Sequence, residues 1–332
     1  MKRTGLRSRL AAFVTACITC ICLLSLSSAT ALANVGTFHE FPVPTASSQP
    51  AGITAGPDGN LWFTEQNGNN IGRITPGGVF TEFPIPTSGS FPIGITSGPD
   101  GNLWFAEDVG SKIGRITTGG MITEFATPTS GSAPFDITSG PDGNLWFTEV
   151  NGNNIGRITP GGVFTEFPIP TTGSQPFGIT AGPNGTLWFT EFSGNKIGRI
   201  TTSGVITEFA IPTSGSQPFG ITAVSNGKLW FTEFSGNKIG RITTSGVITE
   251  FLVPTSGSQP AGITKGPDGK LWFTEHAGNK IGRIAPKTGA IREFLIPTAG
   301  SGPDFITPGP ALAANVWFTE RLSNQIGEVS TK

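Results

Sequence analysis

The stretch QPFGITAGPNGTLWFTEFSGNKIGRITTSGVITEFAIPT, residues 175–213, contains the plan of the whole chain. Four short runs rich in Ile, Phe, Trp and Thr alternate in it with Gly, Pro, Asn and Ser. Such runs between turn residues predict four antiparallel strands joined by tight turns. Its residues 189–209 recur letter for letter at 231–251, so the stretch is an internal repeat.

The repeat extends over nearly the whole chain and is marked by tryptophan. Seven tryptophans follow one another at intervals of 42 residues, the last interval being 45: Trp62, Trp104, Trp146, Trp188, Trp230, Trp272 and Trp317. Four-stranded antiparallel units in a long tandem array are typical of a β-propeller. The sequence therefore predicts an all-β fold, a propeller of seven four-stranded blades.

The two ends of the chain complement each other. FHEFPVPT, residues 38–45, matches the fourth strand of a repeat, and the last repeat stops after its third strand, QIGEVS, residues 325–330. We expect the N-terminal strand to complete the last blade, which closes the ring and removes its exposed edges.

Residues 1–33 have the features of a secretory signal peptide. Basic residues precede an apolar run, and small residues end at Ala33. A lipidation box ending at Cys17 is the alternative interpretation. All three cysteines lie in this segment, so residues 34–332 form one cysteine-free propeller domain. We expect a secreted protein, extracellular or periplasmic.

The charge of the mature chain excludes some partners. Four basic residues leave with the leader, so 21 − 4 = 17 basic residues remain against 22 acidic ones, a net charge of −5. No basic patch indicates nucleic acid, and no second apolar stretch is long enough to span a membrane. Closed sheet edges favour a monomer.

Differences between the repeats concentrate at two positions. The residue after the proline that opens the first strand is Ala51, Ile93, Phe135, Phe177, Phe219, Ala261 or Asp304. The residue after the glutamate that ends the second strand is Gln66, Asp108, Val150, Phe192, Phe234, His276 or Arg321. If the first strand is innermost, both positions ring one mouth of the central channel.

These variable residues predict a ligand site with two sides. Phe135, Phe177, Phe192, Phe219 and Phe234 provide an apolar wall in blades three to five. The polar side consists of His276, Asp304 and Arg321 in blades six and seven; Asp108 and Asp136 are the other asymmetric acids. Glutamates that recur in every blade are interpreted as structural: one set solvated on the fourth strand, the other bonded to loop amides or to the arginines of the GRI motif.

The repeat GITAGPNGTLWFTEFSGNKIGRITTSGVITEF resembles the streptogramin B (virginiamycin B) lyase family over residues 35–332. The resemblance implies a seven-bladed propeller that opens a cyclic depsipeptide at its ester by Mg²⁺-assisted elimination. A histidine acts as the base in that family, a second histidine contacts the substrate, and glutamates hold the metal.

Carried onto this chain, the family pattern is largely unmatched. The positions of the two histidines are Ala261 and Asp304, and one metal-binding glutamate is replaced by Gly302. Glu320 matches the other, which makes it the candidate Mg²⁺ ligand. An aspartate is a much weaker base than a histidine at neutral pH.

Three functions therefore compete. The first is a propeller that binds a small molecule or peptide on its rim. The second is a metal-assisted lyase or hydrolase that opens a cyclic ester or lactone, with His276 as relocated base beside Asp304 and with Glu320 on the metal. The third is a structural or adhesion propeller without a pocket. The fold alone does not choose among them.

Overall fold

The computed structural model describes residues 34–224, 227–310 and 313–332. The predicted signal peptide, with its cysteines, lies outside the described residues. Within the described ranges the chain forms β-strands and one short 3₁₀ turn, Pro183–Gly185. No helix in this part of the protein has the length and apolar character needed to cross a membrane.

The strands follow the repeat. The chain begins with β1 (Phe38–Pro42). Blades one to three consist of β2 (Pro50–Ala55), β3 (Leu61–Glu65), β4 (Asn70–Ile74), β5 (Phe80–Pro84), β6 (Pro92–Ser97), β7 (Leu103–Glu107), β8 (Lys112–Ile116), β9 (Ile122–Ala126), β10 (Pro134–Ser139), β11 (Leu145–Glu149), β12 (Asn154–Ile158) and β13 (Phe164–Pro168). Blades four to seven continue with β14 (Pro176–Ala181), β15 (Thr186–Glu191), β16 (Lys196–Thr201), β17 (Ile206–Ala210), β18 (Pro218–Val224), β19 (Lys228–Glu233), β20 (Lys238–Thr243), β21 (Ile248–Leu252), β22 (Pro260–Lys265), β23 (Leu271–Glu275), β24 (Lys280–Ile284), β25 (Ile291–Leu295), β26 (Pro303–Pro308), β27 (Asn315–Glu320) and β28 (Gln325–Ser330).

The predicted closure of the ring is confirmed. β1 pairs antiparallel with β28, from Phe38 opposite Val329 to Pro42 opposite Gln325. The last sheet therefore has the order β1-β28-β27-β26, and the other six sheets keep chain order. Seven sheets of four strands result, as the repeat predicts.

The first strand of each blade is innermost, as expected. First strands of neighbouring blades pack directly against one another around the channel. Their approach requires glycine: a Cβ on Gly52 would lie 2.2 Å from the carbonyl oxygen of Ile93 in the next blade. Pro50 pairs with Glu65, so the start of the first strand and the end of the second lie on one face, here the upper face. The opposite, lower face carries the turns between strands one and two and between strands three and four.

The core lies between blades. The cluster between blades one and two joins Trp62 and Ile71 to Leu103 and Phe105, and the pattern repeats around the ring. Trp62 stacks on Phe83 at 5.5 Å, and the Arg73 guanidinium lies 5.4 Å from the Trp62 ring. Of the two kinds of partner expected for the second-strand glutamates, loop amides or the GRI arginines, the arginines are therefore not the one observed. These arginines lie over the aromatic rings, where a cation–π contact stabilises them.

Two repeated polar contacts also join the blades. The Thr64 hydroxyl accepts a hydrogen bond from Gly52 N–H (2.9 Å) and donates one to the Ile93 carbonyl of blade two (2.6 Å). The carboxylate of Glu82 accepts bonds from the backbone N–H and the hydroxyl of Thr45, at 3.0 and 2.9 Å. The fourth-strand glutamates thus join neighbouring blades by hydrogen bonds. The interpretation that they are solvated residues is wrong.

Candidate functional site

A small pocket opens at the centre of the upper face. Its volume is about 160 Å³. The residues that line it come from six of the seven blades, all except blade four: Ala51, Gln66, Ile93, Phe135, Phe219, Phe234, His276, Asp304, Phe305 and Arg321. The two variable positions of the repeat supply nine of these ten residues. The sequence differences between blades therefore do converge on one site.

The apolar wall is a continuous aromatic cluster. Phe135, Phe219 and Phe234 line the pocket. Phe177 stacks on Phe135 with 4.5 Å between ring centroids and lies 4.5 Å from Phe192. The structure thus brings all five predicted phenylalanines together, with Phe177 and Phe192 as a second row that supports the rings at the pocket.

Phe305 forms the floor of the pocket and was missed by sequence reasoning. It occupies the first-strand position that is glycine in five other blades, for example Gly52 and Gly220. Its ring centroid lies 6.3 Å from that of Phe135 and 6.2 Å from that of Phe219. These three rings also border a second cavity of about 130 Å³ in the channel below. The sequence signal that could have identified Phe305 is the change of the GIT motif to FIT at residues 305–307.

The polar side is built around an ion pair between a buried carboxylate and a partly exposed guanidinium. Asp304 is only 6% exposed. The Arg321 Nη1 lies 3.7 Å from its Oδ2, and Arg321 Nη2 donates a hydrogen bond to Gln66 Oε1. Burial raises the pKa of Asp304, and electrostatic interactions first with Arg321 and then with His276 oppose that rise. His276 lies at the junction of the two sides, its ring 6.4 Å from Phe234.

Glu320, the candidate Mg²⁺ ligand, does not face the pocket. It is fully buried at the end of β27, and its Oε2 accepts a hydrogen bond from Ser323 at 3.2 Å. Burial, with Glu40 beside it, raises its pKa to about 8. A carboxyl that is protonated at neutral pH is a poor ligand for a hard cation, which needs carboxylate oxygens.

Glu320 belongs to a ring of seven equivalent buried acids. Glu65, Glu107, Glu191, Glu233 and Glu275 have pKa values raised to about 8, and Glu149 to about 7, by burial as the main cause. Most of their carboxyl oxygens have no hydrogen-bond partner among the described residues. Such a sevenfold feature is structural and marks no single site.

The remaining donors do not fit Mg²⁺ either. The Asp304 carboxylate already faces a guanidinium, whose charge disfavours a divalent cation beside it. The described residues contain no cluster of three or more His, Cys, Asp or Glu side chains suited to a metal ion. Ala261, at one family histidine position, is buried and has no polar group. We therefore derive no step through a metal.

The other two asymmetric acids lie outside the upper pocket. Asp136 borders the channel cavity, where its carboxylate accepts hydrogen bonds from Ile137 N–H (2.9 Å) and Ile179 N–H (3.0 Å). It joins blades three and four at the level of their first strands. Burial raises the pKa of Asp136 to about 6 and also raises that of Asp108.

Comparison with known proteins agrees with the repeat and the fold. The model of the virginiamycin B lyase family matches residues 27–229 and 221–332. The structure is similar to virginiamycin B lyase from Staphylococcus aureus, with 44% identity, a TM-score of 0.84, and 89% of this chain and 99% of that chain covered. The same values hold for a catalytically inactive variant of the S. aureus lyase with quinupristin.

A curated virginiamycin B lyase from Bacillus licheniformis is 51% identical over 39 residues. That alignment spans 13% of the relative's length, about one blade. The family match, by contrast, covers every blade of the present chain. By its repeat, its ring closure and this match, the chain belongs to the virginiamycin B lyase family.

Proposed function

We propose that this protein is an exported binding propeller that holds a small molecule or peptide in the upper pocket. The observation that carries the proposal is the convergence of aromatic rings and one polar cluster on a single pocket. Apolar pockets with a few placed polar groups are the usual form of small-molecule sites, and a volume of about 160 Å³ admits one side group of a larger ligand whose remainder lies on the rim. The aromatic wall suits an aromatic or aliphatic group of the ligand, and Arg321 with His276 suits a carbonyl or carboxylate.

The absence of the family's chemistry from these positions supports binding over elimination. At the two histidine positions stand a buried alanine, Ala261, and Asp304, whose carboxylate faces Arg321. Glu320 lies behind the pocket in the acid ring. A lyase or hydrolase is the second candidate, because His276 shares the pocket with Asp304 and is its one imidazole.

Calorimetric titration with quinupristin, the molecule that accompanies the S. aureus lyase variant, tests the binding function. Phe219→Ala removes a ring from the pocket wall, whereas Phe192→Ala removes a ring from the supporting row. We expect Phe219→Ala to raise Kd about 10-fold or more and Phe192→Ala to change it less than about 3-fold. Equal effects, or no heat of binding in the unsubstituted protein, would contradict a site for this ligand class.

A further inference from the structure

The lower face of blades five and six carries a basic groove, far from the upper pocket. Its volume is about 400 Å³. The groove, here the lysine groove, is lined by Val224, Lys265, Gly269, Lys270, Ala285, Pro286, Lys287 and Thr288. Lys228 occupies the position in blade five that Lys270 has in blade six, at the start of the second strand.

The lysines of the groove are departures from the repeat. Lys265 ends β22, whereas first strands elsewhere end in small or apolar residues, such as Ala55 and Ser97. The position of Lys270 is Asn60 in blade one and Asn or Thr in most others. Lys287 lies in a hairpin of six residues between β24 and β25, one more than the five between β4 and β5. The repeat therefore does not account for this charge.

Four other lysines of the propeller pair with acids between strands. Lys112, Lys196, Lys238 and Lys280 each pair with a fourth-strand glutamate at 3.1–3.6 Å. Among the lysines after residue 33, only Lys332 belongs neither to these pairs nor to the set Lys228, Lys265, Lys270 and Lys287. Half of the eight internal lysines are thus concentrated on one part of one face.

The acid of this region is occupied by other partners. Asp268 Oδ1 accepts hydrogen bonds from the Trp272 indole (3.0 Å) and from Lys270 backbone N–H (3.1 Å), and Oδ2 lies 3.5 Å from Arg283. Within the described ranges, neither Lys270 nor Lys287 forms an ion pair with a carboxylate. Lys270 and Lys287 therefore keep their positive charges in the groove although the chain as a whole has a net charge of −1.

We propose that the lysine groove binds a soluble ligand that carries two or more linked phosphate groups. Lysine ammonium groups bind phosphate as point charges, and several around one recess favour a multiply charged anion over a single carboxylate. The volume is that of a small-molecule site. Val224, Ala285 and Pro286 provide apolar surface for an organic part of the ligand. The lysines line a recess, which suits a free ligand better than a flat membrane surface.

Calorimetric titration with inorganic triphosphate at low salt tests this proposal. The variant Lys265→Ala/Lys270→Asn/Lys287→Gln gives two positions the residues of other blades, so the fold should persist. We expect it to raise Kd about 10-fold or more, and Lys270→Asn alone to raise it about 3-fold. The matched single-charge control Lys332→Gln, and Phe219→Ala at the upper pocket, should leave Kd unchanged.

Three results would overturn the proposal. The first is the absence of any heat of binding with triphosphate at concentrations up to about 1 mM. The second is an equal loss in Lys332→Gln, which would indicate unspecific attraction. The third is binding to vesicles of phosphatidylglycerol without binding to triphosphate, which would assign the face to a lipid surface. If the triple variant unfolds, the Kd values of Lys270→Asn and Lys332→Gln for triphosphate are compared instead, and equal values would overturn the proposal.

Discussion

Replacing Glu233 by glutamine is expected to increase stability progressively as the pH rises. Glu233 is fully buried at the end of β19. Burial raises its pKa to about 8, the neighbouring Glu250 carboxylate adds to the rise, and Lys238 opposes it. The folded protein therefore holds this carboxyl protonated at neutral pH.

The sign and size of the effect follow from proton linkage. In the unfolded chain this carboxyl ionises near its ordinary value of 4.5. Between that pH and about 8, the folded state binds a proton that the unfolded state has lost. The free energy of unfolding then falls by up to about 1.4 kcal/mol per pH unit for this one group. Glutamine fills the same volume but does not titrate. The difference in unfolding free energy between the variant and the unsubstituted protein therefore grows with pH, at a rate that approaches this slope.

Urea denaturation at pH 5, 6, 7 and 8 measures the difference. Glu250→Gln is the matched control from the same blade. Burial alone would raise the pKa of Glu250, but hydrogen bonds from Thr213 and Lys238 outweigh it and lower that pKa. This control should therefore lose stability at pH 7, and lose less as the pH falls. A Glu233→Gln effect that does not vary with pH would refute the assignment of a protonated acid ring.

Two further predictions concern the blade contacts and the pocket. Thr190→Val removes the hydroxyl that joins Gly178 N–H (2.9 Å) to the Phe219 carbonyl (2.7 Å); we expect a loss of about 2 kcal/mol in urea denaturation, against a smaller loss for Thr190→Ser. Equal losses would contradict this, because the hydroxyl would then contribute no more to stability than the methyl group. Arg321→Gln removes the guanidinium beside buried Asp304 and therefore raises the pKa of Asp304 further. We expect the free energy of unfolding to fall by about 1–3 kcal/mol at pH 8. The loss should be smaller at pH 5, because the carboxyl takes up a proton as the pH falls. A loss of the same size at both pH values would show that Asp304 is not ionised beside Arg321.

The architecture could be predicted because the same pattern of four strands and three turns occurs seven times in the sequence. Tryptophan spacing, turn residues and the match of residues 38–45 to a fourth strand are local signals, and the ring closure follows from them. The position of the pocket was predictable by the same comparison, since residues that vary between copies at two aligned positions must ring one mouth. His276, Asp304 and Arg321 come together for that reason.

The side-chain contacts could not be predicted from the repeat, because they depend on residues that neighbouring strands and blades bring together. The arginines of the GRI motif lie over Trp and Phe rings, because register places Arg73 opposite Trp62 on the adjoining strand. The fourth-strand glutamates reach into the neighbouring blade, a contact across 37 residues between Thr45 and Glu82. Phe305 was missed because it replaces a glycine that was treated as part of the scaffold. The lysine groove could not be predicted from the sequence, because its residues come from two turns that are separate in the chain and adjacent only in the fold.

The most direct test of the account is mass-resolved chromatography of a streptogramin B depsipeptide incubated with the protein, once with Mg²⁺ and once with EDTA. We predict that the depsipeptide gives no new product peak, because the family's two histidine positions are Ala261 and Asp304 and one of its metal-binding glutamates is Gly302. A new peak of unchanged mass that disappears in EDTA would contradict it and show metal-assisted elimination by other residues. A gain of one water would contradict it as hydrolysis.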